Sequence, residues 1–273
     1  GFMCVHDDIM DRDYMRHGGL NMSGRYSNSL RTKVKDGAER DHLAQSMSLL
    51  GGDLLITFVY EAIFTMDIPA ETRLALMRQI NETTFFTVGG QQLDVLYPLE
   101  GEVSVKRLLK IPYYKTSMYT FVNPLLFGAT LAKSGDLGLS KTLKGYGESL
   151  GITFQVVDDM LDVFGSTKAI GKSILSDIRE NKPTILRHYA FELASPQERS
   201  LLNATFGQPG ASIHDLRAVR RIMNHNGAHK KTYALAEKYA TKAKDTIEPL
   251  EVNRPREFRQ LVQLADFCLT RDH

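Results

Sequence analysis

The sequence predicts an all-α protein, and three observations lead to that prediction. Apolar residues recur at three- and four-residue steps along most of the chain, for example through Leu43, Leu50 and Phe58. Convincing stretches of alternating apolar and polar residues, the pattern of a half-buried strand, are absent from the sequence. Prolines stand where a long helical pattern ends, at Pro98, or where a kink is expected, at Pro124.

The helical pattern divides the chain into a series of predicted elements. Four long helices come first, over residues 39–64, 71–97, 113–132 and 139–164. After a loop over 165–176, Pro183 is expected to be the first residue of the next helix. Shorter helices then follow over residues 196–206, 213–225, 228–250 and 256–271. Residues 18–36 are basic and rich in Gly, Ser and Asn, so we expect a flexible loop there.

Composition restricts the class of protein. The 273 residues are 42% hydrophobic and 24% charged, as in ordinary soluble globular proteins. A net charge of +2, from 34 Lys and Arg against 32 Asp and Glu, gives no support for a nucleic-acid partner. No apolar run approaches the roughly 18 residues of a membrane helix, and no signal peptide leads the chain. Cys4 and Cys268 lack metal-ligand spacing and are interpreted as free thiols in a reducing compartment, so we expect a cytoplasmic protein without a transmembrane segment.

Two aspartate-rich pentads with one DDxxD pattern are the strongest functional signal. They are DDIMD at residues 7–11 and DDMLD at residues 158–162. On a helix the first and last aspartates of each pentad lie on one face, where like charges repel unless a cation lies between them. Carboxylate oxygens suit Mg²⁺ that also holds phosphate oxygens. The predicted metal ligands are therefore among Asp7, Asp8, Asp11, Asp158, Asp159 and Asp162.

An isolated acidic pentad could equally be a solvated patch on an exposed helix. The flanks argue against this, because apolar residues 1–5 precede the first pentad and residues 152–157 precede the second. Acids on such core helices have to be paired or metal-bound. Cations that could contact phosphate oxygens lie nearby, and they are Arg12, Arg16, His17, Lys115, Lys168, Lys172, Arg179 and Lys182.

Six motifs in order give the chain a family resemblance. They are HDDIMDRD with Arg16 and Gly18, GQQLD at 90–94, YKT at 114–116, FQVVDDMLDVFG at 154–165, GK at 171–172 and DIRENK at 177–182. Together they resemble the trans-prenyl diphosphate synthases (the polyprenyl synthetase family), and farnesyl and geranylgeranyl diphosphate synthases in particular. The resemblance implies an isoprenoid-synthase-type bundle of antiparallel helices around a central cavity, with the pentads facing each other at its mouth. It also implies a homodimer.

The resemblance further implies roles for individual residues. Three Mg²⁺ ions would bridge the pentads to an allylic diphosphate, with Asp7, Asp11 and Asp158 as main ligands. Supporting positions fall to Asp8, Asp94, Asp159 and Asp162. The diphosphate contacts would be Arg16, Lys115, Lys172 and, more weakly, Lys182. Thr116 and Gln155 would stabilise by their dipoles the allylic carbocation that remains when diphosphate leaves and that the double bond of isopentenyl diphosphate attacks.

Product length is implied by the residues just before the first pentad. In the family the growing tail runs down the cavity below this pentad, and bulky side chains stop it. Met3 lies four residues before Asp7 on the same helical face, and Phe2 lies on its flank. An aromatic at the position of Phe2 is associated with short products. We therefore expect a twenty-carbon product, geranylgeranyl diphosphate, with the fifteen-carbon farnesyl diphosphate as the alternative.

The chain departs from the family pattern in two places. His17 stands where the second of two arginines, a contact to isopentenyl diphosphate, is usual. A Gly-Lys-x-x-Arg-Pro element that supplies most of the isopentenyl diphosphate site would lie upstream of residue 1. The interpretation is a single prenyl synthase domain over residues 1–273 that lacks its N-terminal helices. An inactive or regulatory subunit and a class I terpene cyclase are the alternatives, although the first typically loses a pentad and the second usually replaces its second one.

Overall fold

The computed structural model describes residues 1–16, 18–132, 135–165 and 175–271, and helices dominate them. The α-helices of these residues are α1 Phe2–Met10, α2 Met22–Leu30, α3 Gly37–Thr65, α4 Ala70–Leu96, α5 Val105–Leu108, α6 Asn123–Leu131, α7 Leu137–Phe164, α8 Ser176–Arg179, α9 Ile185–Glu192, α10 Pro196–Thr205, α11 Ile213–His225, α12 Ala228–Ile247, α13 Leu250–Asn253 and α14 Pro255–Thr270. A 3₁₀-helix covers Tyr97–Leu99, and a π-helix, π1, covers Pro112–Val122. Two short strands, β1 Met15–Arg16 and β2 Gly19–Leu20, pair antiparallel.

The described residues divide into two compact units. The first comprises Gly1–Met77 and the second comprises the described residues from Arg78 onward. The first pentad lies in the first unit, and the second pentad lies in the other.

In the first unit, α1 and α2 pack against α3. A glycine allows the close approach of α1, because a Cβ atom on Gly52 would lie 2.2 Å from the Nε2 atom of His6. Between α2 and α3, the buried Ser23 hydroxyl donates to the Ser48 hydroxyl at 3.0 Å. The glycine contact thus seats the first-pentad helix on α3, and the serine pair fixes α2 on the same helix.

In the second unit, α7 is the central helix. It packs against α12, π1 and α14, and its Tyr146 and Leu150 are fully buried among Phe121, Ile247 and their neighbours. The Tyr146 hydroxyl donates to the backbone carbonyl of Leu261 at 2.7 Å, so this buried polar group is satisfied. Core packing thus positions the helix that carries the second pentad.

The predicted long helices are confirmed to within about two residues at most ends, and so are the shorter ones over α10, α11, α12 and α14. The prediction of a flexible loop over 18–36 is wrong. Asn21 caps α2 there, since its side chain accepts a hydrogen bond from the backbone N–H of Gly24 at 2.9 Å. Pro183 is not the first residue of a helix, because Thr184 is the N-cap of α9.

The predicted kink at Pro124 is replaced by a change of helix type. π1 ends at Val122, and α6 continues from Asn123 with Pro124 in its first turn, where a missing N–H costs no hydrogen bond. Within π1 the Ser117 hydroxyl donates to the carbonyl of Pro112, five residues earlier, at 3.1 Å. π-helical turns are frequently found at functional sites.

The absence of a transmembrane segment stays a prediction, although one described helix has the length and composition of a membrane span. Among the described residues, α3 qualifies, with a mean hydropathy of 1.5 over its most apolar window, of which 17% is buried. Polar residues such as Asp53 and Thr57 interrupt α3, so it contains no long unbroken apolar run. One such helix is weak evidence for a membrane span. Its exposed apolar side chains form a stripe through Met47, Leu50, Leu54 and Phe58.

Candidate active site

The first pentad lies at the end of α1. Asp11 is the C-cap residue, and its backbone N–H donates to the carbonyl of Asp7 at 2.8 Å, so helical geometry continues through both aspartates. The expectation that this is a core helix is wrong for the described residues. Asp8 is its buried residue, while Phe2, Met3 and most others are half-buried.

Asp8 holds the arginine that follows the pentad. The Arg16 Nη2 atom lies 2.6 Å from Asp8 Oδ1, and Nε lies 3.0 Å from Oδ1 and 3.2 Å from Oδ2. The carboxylate of Asp7 lies farther away, at 3.8 Å from Nη2. Burial alone would lower the pKa of Arg16, but the hydrogen bond and charge of Asp8, with smaller contributions from Cys4 and Asp7, raise it above its ordinary value. Strand β1 thus places the Arg16 guanidinium beside the first pentad.

The second pentad lies on α7, whose apolar flank is buried as predicted. Val156, Val157, Met160 and Val163 are all buried. The Asp158 side chain, in contrast, is 42% exposed. Asp162 lies four residues further along α7, on the same helical face. The pentad therefore lies on the more open side of a core helix.

A chain of hydrogen bonds joins three of the predicted site residues. The hydroxyl of Thr116 donates to Gln155 Oε1 at 2.7 Å, and Gln155 Nε2 donates to Asp159 Oδ1 at 2.8 Å. Burial of its carboxyl group and the nearby Asp177 carboxylate raise the pKa of Asp159, whereas the Gln155 bond lowers it. Thr116 is itself buried, so this chain connects π1 with the pentad in one fixed arrangement.

Lys115 and Asp94 form an ion pair between π1 and α4. The Lys115 Nζ atom lies 2.5 Å from Asp94 Oδ2, and both side chains are largely buried. A Cβ atom on Gly90 would lie 2.3 Å from the backbone nitrogen of Lys115, so the glycine permits this approach of the two helices. The structure thus brings GQQLD and YKT together.

A second glycine contact supports π1 from α7. A Cβ atom on Gly151 would lie 2.3 Å from both the Cα and the Oγ atoms of Ser117. The Ser117 hydroxyl also lies 3.0 Å from the carbonyl of Glu148. Lys115 and Thr116 therefore lie on a part of π1 that packs closely against α4 at Gly90 and against α7 at Gly151.

Lys182 lies among carboxylates. Its Nζ atom is 3.7 Å from Asp177 and 3.5 Å from Glu180. Asp177, which is buried, also acts on Asp159. Lys182 is thereby linked to the surroundings of the second pentad through Asp177.

The structure adds to the site three residues that the sequence did not predict, namely Arg271, Arg220 and Ser117. Arg271 lies just after α14, and its Nη2 atom donates to Asp158 Oδ1 at 2.7 Å. Arg220 Nη2 donates to the carbonyl of Gly165 at 2.9 Å, at the end of α7. No motif marks these positions. Asp177, by comparison, lies inside the DIRENK motif and could have been found there.

Two predicted substrate-binding residues, His17 and Lys172, lie outside the described residues, as does Lys168. Among the described residues, no three His, Cys, Asp or Glu side chains form a ready metal site by themselves. Mg²⁺ is typically bound by one or two carboxylates, with water and substrate phosphates as the other ligands, so a magnesium site does not require a cluster of three such side chains.

Comparison with known proteins identifies the family. The sequence profile of the polyprenyl synthetase family matches residues 1–223. Geranylgeranyl diphosphate synthase of Saccharolobus solfataricus is 29% identical over 99% of this chain and 76% of its own length. The (2E,6E)-farnesyl diphosphate synthase of Mycobacterium tuberculosis is 27% identical over 99% of this chain and 70% of its own.

Structural comparison agrees with the sequence relatives. The crystal structure of geranylgeranyl pyrophosphate synthase from Corynebacterium glutamicum, complexed with isoprenyl diphosphate and magnesium, matches with a TM-score of 0.90 and 28% identity. The match covers 99% of this chain and 75% of that one. The chain therefore belongs to the polyprenyl synthetase family. It is an enzyme, a short-chain trans-prenyltransferase, and the predicted all-α isoprenoid-synthase fold is confirmed.

Proposed function

We propose that this prenyltransferase condenses isopentenyl diphosphate with an allylic diphosphate, with Mg²⁺ held by the two aspartate pentads. In this reaction the allylic carbon–oxygen bond breaks, and diphosphate leaves with the electron pair. The double bond of isopentenyl diphosphate attacks the resulting cation, and loss of a proton gives a product five carbons longer. The released diphosphate can take that proton, so no side-chain base is required.

The residues present fit a divalent metal. Asp158 offers hard oxygen ligands on a partly open face, and Asp162 lies one turn away. Asp7 and Asp11 have the same spacing in the first pentad. When bound, Mg²⁺ stabilises the negative charge that develops on the departing diphosphate. We assign Asp7, Asp11 and Asp158 as main ligands and Asp162 as a supporting one; three ions are the number the family resemblance implies.

Other aspartates of the site have positioning roles in this proposal. Asp8 gives both carboxylate oxygens to Arg16, which supports a role in aiming that guanidinium at diphosphate oxygens. Asp94 accepts from Lys115 through Oδ2, which supports a similar role in aiming that ammonium group. Asp159 accepts from Gln155 and so orients the amide. Each could also hold a metal-bound water through a remaining lone pair.

Thr116 and Gln155 are proposed to stabilise the allylic cation. The Thr116 hydroxyl donates a hydrogen bond to Gln155 Oε1, so its oxygen lone pairs remain available to face a cation, and Thr116 itself is buried. The fixed hydrogen-bond chain to Asp159 prevents either dipole from reorienting, and preorganised dipoles are effective in enzyme sites. Diphosphate contacts from Arg16, Lys115, Lys172 and Lys182 complete the proposal, and His17 remains a candidate contact to isopentenyl diphosphate.

We further propose a twenty- or fifteen-carbon product, limited by Phe2 and Met3 in the first turn of α1. The Phe2 ring packs edge-on against His6, with centroids 6.3 Å apart, and His6 is itself seated on Gly52. This contact restrains a bulky side chain five residues before Asp7. It supports Phe2 as a rigid limit to chain growth.

A cytoplasmic homodimer completes the proposal. The exposed stripe on α3, in which Leu50, Leu54 and Phe58 are each more than half exposed, supports an interface between two copies. Leu54→Arg should convert the dimer to monomer in analytical ultracentrifugation, whereas His42→Arg, at an exposed polar position of α3, should not. An unchanged sedimentation coefficient for Leu54→Arg would remove this face from the interface. Cys4 and Cys268 are both free, as expected for a reducing compartment.

The observation that carries the proposal is the hydrogen-bond chain from Thr116 through Gln155 to the second pentad. The test incubates full-length protein with Mg²⁺, labelled isopentenyl diphosphate and dimethylallyl or farnesyl diphosphate, and sizes the products by chromatography. Elongated products that vanish with chelator or with Asp158→Asn are expected. Absence of elongation would contradict the proposal, and cyclic hydrocarbons would indicate a terpene cyclase instead.

A further inference from the structure

The side chain of Arg271 is fixed against the second pentad by several contacts. Its Nη2 atom donates to Asp158 Oδ1 at 2.7 Å and to the backbone carbonyl of Phe154 at 3.0 Å. Its guanidinium carbon lies 3.7 Å from the centre of the Phe154 ring, a close cation–π contact. The side chain is only 8% exposed, although it belongs to the last described residue of the chain.

Two of these contacts do not depend on Asp158. The ring and the carbonyl of Phe154 lie one helical turn before Asp158 on α7 and hold the guanidinium whatever Asp158 binds. The Asp158 side chain is much more exposed than Arg271 and would otherwise sample several rotamers. Arg271, which Phe154 anchors, therefore restrains the side chain of Asp158.

The contact engages one of the two carboxylate oxygens of Asp158. The recorded hydrogen bond is to Oδ1, and a carboxylate can accept an arginine at one oxygen while the other binds a metal. Carboxylates that ligate metals are commonly held by such an additional hydrogen bond. Displacement of Arg271 by a metal at Oδ1 would break its contacts with the Phe154 ring and carbonyl, so these contacts favour binding of the metal at the other oxygen.

We propose that Arg271 is a positioning residue of the second pentad, which holds Asp158 so that its other oxygen meets Mg²⁺ in one orientation. This inference rests on the proposed function, because it takes Asp158 to be a metal ligand. Loss of an orienting partner of this kind typically weakens metal binding about 10- to 100-fold. Arg271→Lys should retain only part of the metal affinity, because an ammonium lacks the planar fork and the stacking surface of the guanidinium.

The test measures binding of inorganic pyrophosphate by titration calorimetry, at several fixed Mg²⁺ concentrations, with full-length protein. Arg271→Ala should raise the Mg²⁺ concentration needed for half-maximal pyrophosphate binding by about 10-fold or more. Arg271→Lys should fall between this variant and the parent. Arg259→Ala, at an exposed arginine of the same helix α14, should bind as the parent does. At saturating Mg²⁺ the kcat of Arg271→Ala should approach that of the parent.

A double-mutant cycle separates positioning from a general loss of structure. In an Asp158→Asn background, Arg271→Ala should cause no further weakening, since the oriented carboxylate is already gone. Unchanged or tighter Mg²⁺-dependent binding by Arg271→Ala would overturn the proposal, and so would an equal loss in both backgrounds. If Arg271→Ala fails to fold, as judged by near-UV circular dichroism, Arg271→Lys and Arg271→Gln carry the same comparison.

The same measurements distinguish failure of the proposed function. A parent protein that binds no Mg²⁺–pyrophosphate would contradict the function itself and, with it, the role of Arg271. A parent that binds, with Asp158→Asn equal to it, would contradict the assignment of Asp158 and therefore the positioning role. Binding that depends on Asp158 but not on Arg271 would leave the function intact and overturn only this inference.

Discussion

Arg16 donates hydrogen bonds to both carboxylate oxygens of Asp8, whereas the neighbouring Asp7 lies 3.8 Å from the same guanidinium. Two adjacent aspartates of one pentad therefore have different partners. Asp8 is buried and Arg16 is partly buried, so loss of the carboxylate leaves a poorly solvated charge.

We predict that Asp8→Asn lowers the free energy of unfolding by about 2–3 kcal/mol, because a partly buried charge pair is broken. Asp7→Asn should cost less than about 1 kcal/mol but should weaken Mg²⁺-dependent diphosphate binding. Urea denaturation and pyrophosphate titration measure the two quantities separately. Equal stability loss in both variants would contradict the assignment of Asp8 as the partner of Arg16.

A second prediction concerns the hydroxyl of Thr116. Thr116→Val has almost the same shape but leaves Gln155 Oε1 without its donor, which should cost about 1–3 kcal/mol of stability and lower kcat. Thr116→Ser keeps the hydroxyl and is the matched control. If Val and Ser variants have the same kcat, the hydrogen-bond chain does not support catalysis.

The packing of π1 on α7 gives a third prediction. Gly151→Ala places a Cβ atom 2.3 Å from the Cα of Ser117, so it should destabilise the protein by about 1–3 kcal/mol and displace Thr116. Gly128→Ala in α6 meets nothing within 4 Å and should stabilise by about 0.5–1 kcal/mol. The melting temperature and kcat should both fall for Gly151→Ala and should not fall for Gly128→Ala. An unaffected Gly151→Ala enzyme would show that the contact is not restrictive.

Product length gives a fourth prediction. Phe2→Ala should lengthen the product by one or more five-carbon units, because the side chain that we propose to limit the growing tail is removed. The measurement is chromatographic sizing of labelled products. Phe2→Tyr, which keeps the ring, serves as the control. Unchanged product length in Phe2→Ala would remove Phe2 from the end of the cavity.

The two cysteines should differ in reactivity. Burial raises the pKa of the Cys268 thiol to about 11, against an ordinary value of about 8.5, while Cys4 is only half-buried. A thiol-specific reagent at neutral pH should therefore label Cys4 in the native protein and Cys268 only after unfolding. Prompt labelling of Cys268 under native conditions, identified by mass spectrometry, would contradict its burial.

The sign of the accompanying pH effect follows from the same shift. The folded state holds the Cys268 proton more tightly than the unfolded state does, so no stability is lost below about pH 8.5. As pH rises from there toward 11, the unfolded thiol ionises first and stability falls. Cys268→Ala should flatten this alkaline decline relative to the parent.

Local pattern was enough to predict several features of this protein. Hydrophobic periodicity placed α3, α4, α7 and α11, because each helix is made within its own segment and buries one side. The spacing of aspartates within each pentad likewise fixed which acids share a helical face. Local pattern failed at residues 18–36, where the single side chain of Asn21 caps a helix that the composition does not favour.

Tertiary structure alone decided which partners these residues have. Arg271 and Asp158 are 113 positions apart, and Thr116 and Gln155 are 39 apart, so no spacing rule relates them. Both pairs form because core packing sets α14 and π1 against α7 at fixed distances. Sequence thus determined the acids that a metal could use, whereas long-range packing decided which groups hold those acids in place.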